Sequence, residues 1–359
     1  MTFLSSRRGR ISAALAGIAV SALALTACAG SSDSEPAADT DDAASEEMIT
    51  NITVQLSWIK NEEFAGEFFA DSNGYYTDAG FDSVTLVPGP STSATELISG
   101  TADFGMSDAV SIGSVVASEG APLKIIGTTY QKNPFTVLSL ADGGNIATVD
   151  DLVGKKIGVQ DSNTALFNAF LSANGLTSDD VEIVPVQYDP APLTNGEVDG
   201  FISYLTNESI IVAEEGYDTV NLPFADNGLP FVAETLVTTD DMIANNPATV
   251  KAFLKAEIMG WTDLVNDPEE GARLAYEEYG ADLGLDPETS TLGSIAQVDL
   301  VVTDETEANG LFTISDELQA ATIESLAGAG IELTAEDLFD LSLLTEVYEE
   351  NPELVDYMG

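Results

Sequence analysis

Leu97-Ile98-Ser99-Gly100-Thr101-Ala102-Asp103-Phe104 and Leu193-Thr194-Asn195-Gly196-Glu197-Val198-Asp199-Gly200 are the two stretches that decide the fold. In each, a helix ends at Gly, the chain turns, and a strand begins after Asp. Working outward from the first, residues 52–56, 84–87, 103–106 and 123–130 read as strands, and 62–79, 91–99 and 109–118 as helices. Around the second, residues 156–160, 181–186 and 201–204 read as strands, and 164–173 and 207–215 as helices. Alternation of this kind implies an α/β fold with mostly parallel sheets covered by helices. Two units of the same logic imply two Rossmann-like lobes with a cleft between them. The expected division is 51–135 plus 236–359 for the first lobe and 136–235 for the second, with crossings near 132–138 and 231–238. After the strand at 231–238 the chain turns helical. Pro247 opens a helix behind Asn246, and Val250, Phe253, Leu254, Ile258, Trp261 and Leu264 form its apolar stripe.

Composition removes whole classes of function. The 359 residues hold 11 Lys+Arg against 61 Asp+Glu, a formal net charge of −50. Nucleic acid and anionic membrane surfaces call for a basic face that this chain lacks. No His is present, which excludes Ser-His-Asp and Cys-His catalysis and His-ligated zinc. A single Cys excludes an intrachain disulfide. Yet 44% of residues are hydrophobic, enough for a buried core.

The N-terminus reads as an address. Arg7, Arg8 and Arg10 precede an apolar run over 11–25, which ends in Leu25-Thr26-Ala27-Cys28. The run is short for a membrane span. Its ending is a lipobox, so residues 1–27 are expected to be a signal peptide and Cys28 the lipidated residue. Residues 28–50 carry seven acids, no base and no aromatic side chain, and are expected to form a disordered acidic tether.

Motifs speak mostly by absence. Neither a phosphate loop nor G-x-G-x-x-G occurs. Ser57-Trp58-Ile59-Lys60 matches S-x-x-K, but Ser57 closes a strand instead of opening a helix, and the companion motifs are incomplete. Neighbouring acids such as Glu62 and Glu63 carry little weight in a chain with 61 of them. Strand-to-helix turns are better guides, because α/β sheets hold ligands at their carboxyl edge. Those turns supply Trp58, Asn61, Phe64, Ser91, Thr92, Ser107, Asp108 and Tyr130 from the first unit. From the second come Asn163, Tyr188, Tyr204, Asn207 and Glu208. The set is aromatic, neutral polar and carboxylate. An anion would call for an arginine clamp, and beyond the signal region only Arg273 remains. A neutral or weakly cationic flat ring fits the set better.

The segment Val54-Gln55-Leu56-Ser57-Trp58-Ile59-Lys60-Asn61, continuing through Phe64-Ala65-Gly66 to Gly74-Tyr75-Tyr76, resembles one branch of ABC-importer substrate-binding proteins. That branch takes thiamine pyrimidine precursors and riboflavin. Gly100-Thr101-Ala102-Asp103-Phe104-Gly105 and Asp150-Asp151-Leu152-Val153-Gly154-Lys155-Lys156-Ile157-Gly158-Val159 extend the match. The resemblance covers about residues 51–267. It implies a type II periplasmic-binding-protein fold with a hinged cleft. It also implies ring stacking by Trp58 and Tyr204, and Asn61, Asn207 and Glu208 at the ring's polar edge. Its further implications are an exported, lipid-anchored monomer that works with ABC permease subunits and has no catalytic residue, cofactor or metal. The same superfamily contains a thiamine pyrimidine synthase that consumes an active-site His and carries a Cys-rich segment. A chain without His cannot run that reaction. Two alternatives stand beside this expectation: a sulfonate, nitrate or taurine receptor of the same fold, and a serine acyl-transferring enzyme using Ser57 and Lys60.

Overall fold

A computed structural model describes residues 48–358. The expected signal peptide, the lipidation site Cys28 and most of the expected tether lie outside the described residues. The last tether positions belong to the folded body. Met48 and Ile49 pack on the core, and the Ile49 amide donates to Thr249 Oγ1 at 2.9 Å.

Among the described residues ten strands form two five-stranded sheets. They are β1 (Asn51–Gln55), β2 (Ser83–Val87), β3 (Phe104–Ser107), β4 (Leu123–Tyr130), β5 (Phe135–Leu140), β6 (Lys156–Gln160), β7 (Glu182–Val186), β8 (Gly200–Tyr204), β9 (Thr219–Pro223) and β10 (Ala233–Thr239). The first sheet runs β2-β1-β3-β10-β4 and the second β7-β6-β8-β5-β9. These are the same pattern twice: three parallel strands, then one antiparallel strand donated across the molecule, then an edge strand. The expectation of mostly parallel sheets therefore fails at β5 and β10. Both strands arrive from the opposite lobe, so each enters its sheet reversed. The lobe boundaries shift accordingly, since Phe135 pairs in the second sheet and Ala233 and Thr235 pair in the first. The chain crosses between lobes at 131–134 and 224–232.

The paired sequence stretches fold alike. Gly100 and Gly196 close their helices at φ 70° and 72°, a left-handed conformation that glycine adopts without Cβ strain. The Asp103 carboxylate then accepts from the Thr53 amide at 2.8 Å, and the Asp199 carboxylate from the Lys156 amide at 2.9 Å. Each Asp thus pins its strand to the neighbouring parallel one.

The expected helix over 62–79 is three pieces: Glu62–Phe64, Ala65–Ser72 and Tyr75–Asp78, broken at Gly74 with φ 78°. The stretch after β10 is helical, as its apolar stripe requires. Trp261, on the helix Pro247–Asn266, is fully buried against Ala65–Ser72. A Cβ on Gly66 would meet the Trp261 ring at 2.3 Å, and one on Gly260 would meet the Gly66 carbonyl at 2.2 Å. The Ala-Gly of the first-lobe motif is therefore a packing requirement. Among the described residues no helix is long and apolar enough to cross a membrane.

Candidate functional site

The parallel strands β1, β3, β6 and β8 end at one cleft between the sheets, and the antiparallel β5 and β10 begin there. Nine of the thirteen residues expected from the sequence line this cleft: Trp58, Ser91, Thr92, Ser107, Asp108, Asn163, Tyr204, Asn207 and Glu208. Several are occupied locally. Asp108 caps the helix Ala109–Glu119, accepting from the Val110 and Ser111 amides at 2.9 Å each. Ser107 Oγ donates to the Thr92 carbonyl and Ser91 Oγ to Glu96. These side chains shape the wall.

Four residues lie elsewhere. Phe64 is in the core with no exposed surface, because helical spacing sets it on the apolar face with Phe68. Tyr130 is buried behind Tyr204, edge-on to it at 6.4 Å, and its hydroxyl donates to Gln297 at 2.7 Å. Tyr188 is an exposed residue at the outer mouth. Asn61 is buried and also faces the outer mouth, with neither amide atom hydrogen-bonded.

Turn reading missed Ser57, Glu63, Phe135, Gln160, Ser162, Ile202, Ser203 and Glu234. The two acids matter most. Glu63 and Glu234 share a hydrogen bond, and both are buried. Burial, then the facing Glu234 charge, pushes the Glu63 carboxyl well above the usual range. Burial also raises Glu234, while hydrogen bonds from Glu63, Tyr204 and Ser57 oppose the rise. Tyr204 Oη donates to Glu234 Oε1 at 2.8 Å and Ser57 Oγ to Oε2 at 2.9 Å. The S-x-x-K serine is thus a donor to a carboxylate. Glu234 has φ 46°, a left-handed backbone costing roughly 1–3 kcal/mol in a non-glycine residue. Strain of that kind, at a strand start on the cleft edge, marks a position held for its side chain.

Cross-lobe polarity is one-sided. Tyr204 of the second lobe donates to Glu234 of the first, and Asn207 Nδ2 of the second donates to Glu62 Oε1 at 2.9 Å. Burial raises Glu62 and Glu208 to about 7 each. Among the described residues no Lys or Arg lines the cleft. Its free volume is about 40 Å³, well below that of a typical small-molecule site. Among the described residues no group of three or more ligating side chains is placed to hold a metal ion.

Residues 61–271 match the family described as NMT1/THI5 like. The chain belongs to the NMT1/THI5-like family. It is 27% identical over 270 residues to the riboflavin-binding protein RibY of Chloroflexus aurantiacus, covering 71% of this chain and 75% of that one. It is also 27% identical over 248 residues to the 4-amino-5-hydroxymethyl-2-methylpyrimidine phosphate synthase of Schizosaccharomyces pombe, covering 65% and 70%. Among solved structures, the periplasmic aliphatic sulphonate binding protein SsuA of Escherichia coli superposes with a TM-score of 0.57 at 16% identity, covering 78% of this chain and 86% of that one. That likeness establishes the periplasmic-binding-protein fold.

Proposed function

We propose that the protein is the extracytoplasmic solute-binding component of an ABC importer, taking a small heteroaromatic vitamin or vitamin precursor of the thiamine-pyrimidine or riboflavin kind. The observation that carries the reading is a cleft with Trp58 and Tyr204 on its walls, buried carboxyls at its base and no cation in its lining. Flat rings gain from stacking on aromatic faces, and ring amino or imino hydrogens suit carboxylate and amide acceptors. Closure brings second-lobe donors onto first-lobe acceptors, and a permease would read the closed form. Lipidation at Cys28 would hold the protein at the outer face of the membrane.

The match to a sulfonate receptor favours a second reading, an oxyanion receptor of the same fold. A sulfonate in this cleft would meet carboxylates and no Lys or Arg, so the heteroaromatic reading is preferred. The synthase named among the relatives is disfavoured as an activity here, because the chain has no His and its one Cys lies at position 28. Ser57 and Lys60 as an acyl-transfer pair are disfavoured by the commitment of Ser57 Oγ to Glu234. A thermal-shift panel of pyrimidines, thiamine, riboflavin and taurine tests the assignment. Stabilisation by a ring compound and none by taurine is the expected result, and the reverse pattern would sink it.

A further inference from the structure

Outside the cleft, the same two lobes enclose a larger groove with about 460 Å³ of free volume, within the range of small-molecule sites. Trp58 and Asn207 line both compartments, so the two adjoin. We infer that this groove is the second compartment of the ligand site, holding the polar arm of a ring-bearing ligand and rejecting arms that carry phosphate. The inference rests on the heteroaromatic reading of the cleft.

Three observations carry it. First, Asn61 lines the groove, is 1% exposed, and has neither amide atom hydrogen-bonded. A buried amide without partners costs free energy, and hydroxyls on an arm that reaches it as the lobes part would supply both a donor and an acceptor. Second, the walls are apolar where a chain could lie, with Trp58 from the first lobe and Tyr188 from the second. Third, the charged lining is of one sign: Glu62, Asp189, Glu214, Glu215, Asp286 and Glu288, with no Lys or Arg. Lys60, although next to Asn61 in sequence, lines neither compartment. A phosphate ester entering this groove would bring negative charge against the exposed carboxylates Asp189, Glu214, Glu215, Asp286 and Glu288 and the buried Glu62, a repulsion strongest at low ionic strength. A hydroxylated or cationic arm meets no such penalty. The enclosure thus sorts dephosphorylated from phosphorylated forms of the same ring.

The test is a titration of the full chain at low ionic strength with lumichrome, riboflavin and riboflavin 5′-phosphate, which are a ring without an arm, with an arm, and with a phosphorylated arm. The aminopyrimidine alcohol and its phosphate form the parallel pair. Riboflavin or the pyrimidine alcohol is expected to bind at least about tenfold more tightly than its phosphate, and riboflavin more tightly than lumichrome. The preference should shrink as salt is added. In the Glu214→Lys/Glu215→Lys variant, checked for folding by its melt, the alcohol-to-phosphate ratio should fall toward one. A variant of equal charge change outside both compartments, Glu349→Lys/Glu353→Lys, should keep the wild-type ratio. Equal affinity for alcohol and phosphate, or a ratio that responds alike in both variants, overturns the groove assignment and leaves the ring site standing. No binding by any ring compound overturns both.

Discussion

The two lobes are built alike and equipped differently. Each sheet has the same strand order, and each uses an Asp after a glycine turn to pin its third parallel strand. At the cleft the likeness ends. The first lobe brings the acceptors Glu234 and Glu62, while the second brings the Tyr204 hydroxyl and the Asn207 amide that donate to them. A repeated scaffold therefore sets where the ligand edge lies, and non-repeated residues on it set the chemistry. In the proposed mechanism closure is a meeting of donors with acceptors, and a ligand would bind by replacing some of those pairs.

The largest expected effect removes the aromatic wall of the first lobe. Trp58→Ala should weaken a heteroaromatic ligand by a few kcal/mol, about 10²-fold, from lost area and stacking. Calorimetric titration checks this, and a loss under fivefold would put the ring elsewhere. A smaller effect removes one donor of the second lobe. Tyr204→Phe leaves the buried Glu234 carboxylate short of a partner, at about 1–3 kcal/mol. That cost falls only on the closed form, so scattering should show a more open unliganded particle than wild type. An unchanged curve would deny that these donors hold the lobes together.

The smallest effect concerns the acids of the first lobe as a group, together with Glu208 facing them. Burial raises Glu62 and Glu208 to about 7 and Glu67 to about 8. Glu67 lies behind the cleft beside Trp261 and Glu257, and burial lifts Glu257 as well. Groups whose folded pKa exceeds the unfolded value stabilise fully below the unfolded pKa, near 4.5. That stabilisation is lost as pH rises through 7–8. The melting midpoint should thus fall between pH 5 and pH 8, and Glu67→Gln should flatten the fall. A midpoint that rises over that interval would contradict the burial of uncompensated carboxyls.

Much of the scaffold was legible in the sequence. β4 and β6 and the helix Thr164–Ala173 lie where periodicity puts them, and the two glycine turns predict two units. The family segment around Trp58 reads through to its fold. Two of the missed residues share one geometric cause. Turn reading surveys the carboxyl ends of parallel strands, but β5 and β10 run antiparallel and present their first residues to the cleft. Phe135, edge-on to Tyr204 at 4.5 Å, and Glu234 therefore escaped it. A signal for Glu234 existed: one acid interrupts the apolar run from Leu229 to Val237. Glu63 had a weaker one, since it and Glu67 stand four apart among Phe64, Phe68 and Phe69 in a stretch with few polar residues. Phe64 erred the other way. Helical spacing pairs it with Phe68, and that pairing is a core contact pattern.

The most direct measurement of the central claim uses the chain's two tryptophans as separate reporters. Trp58 lines the cleft, whereas Trp261 is 1% exposed, with Nε1 donating to Glu67 at 3.2 Å. With the ring compound that binds best, Trp261→Phe should keep the ligand-induced quenching of intrinsic emission, and Trp58→Phe should lose most of it. Quenching that persists in Trp58→Phe and vanishes in Trp261→Phe would contradict a ring held between the lobes.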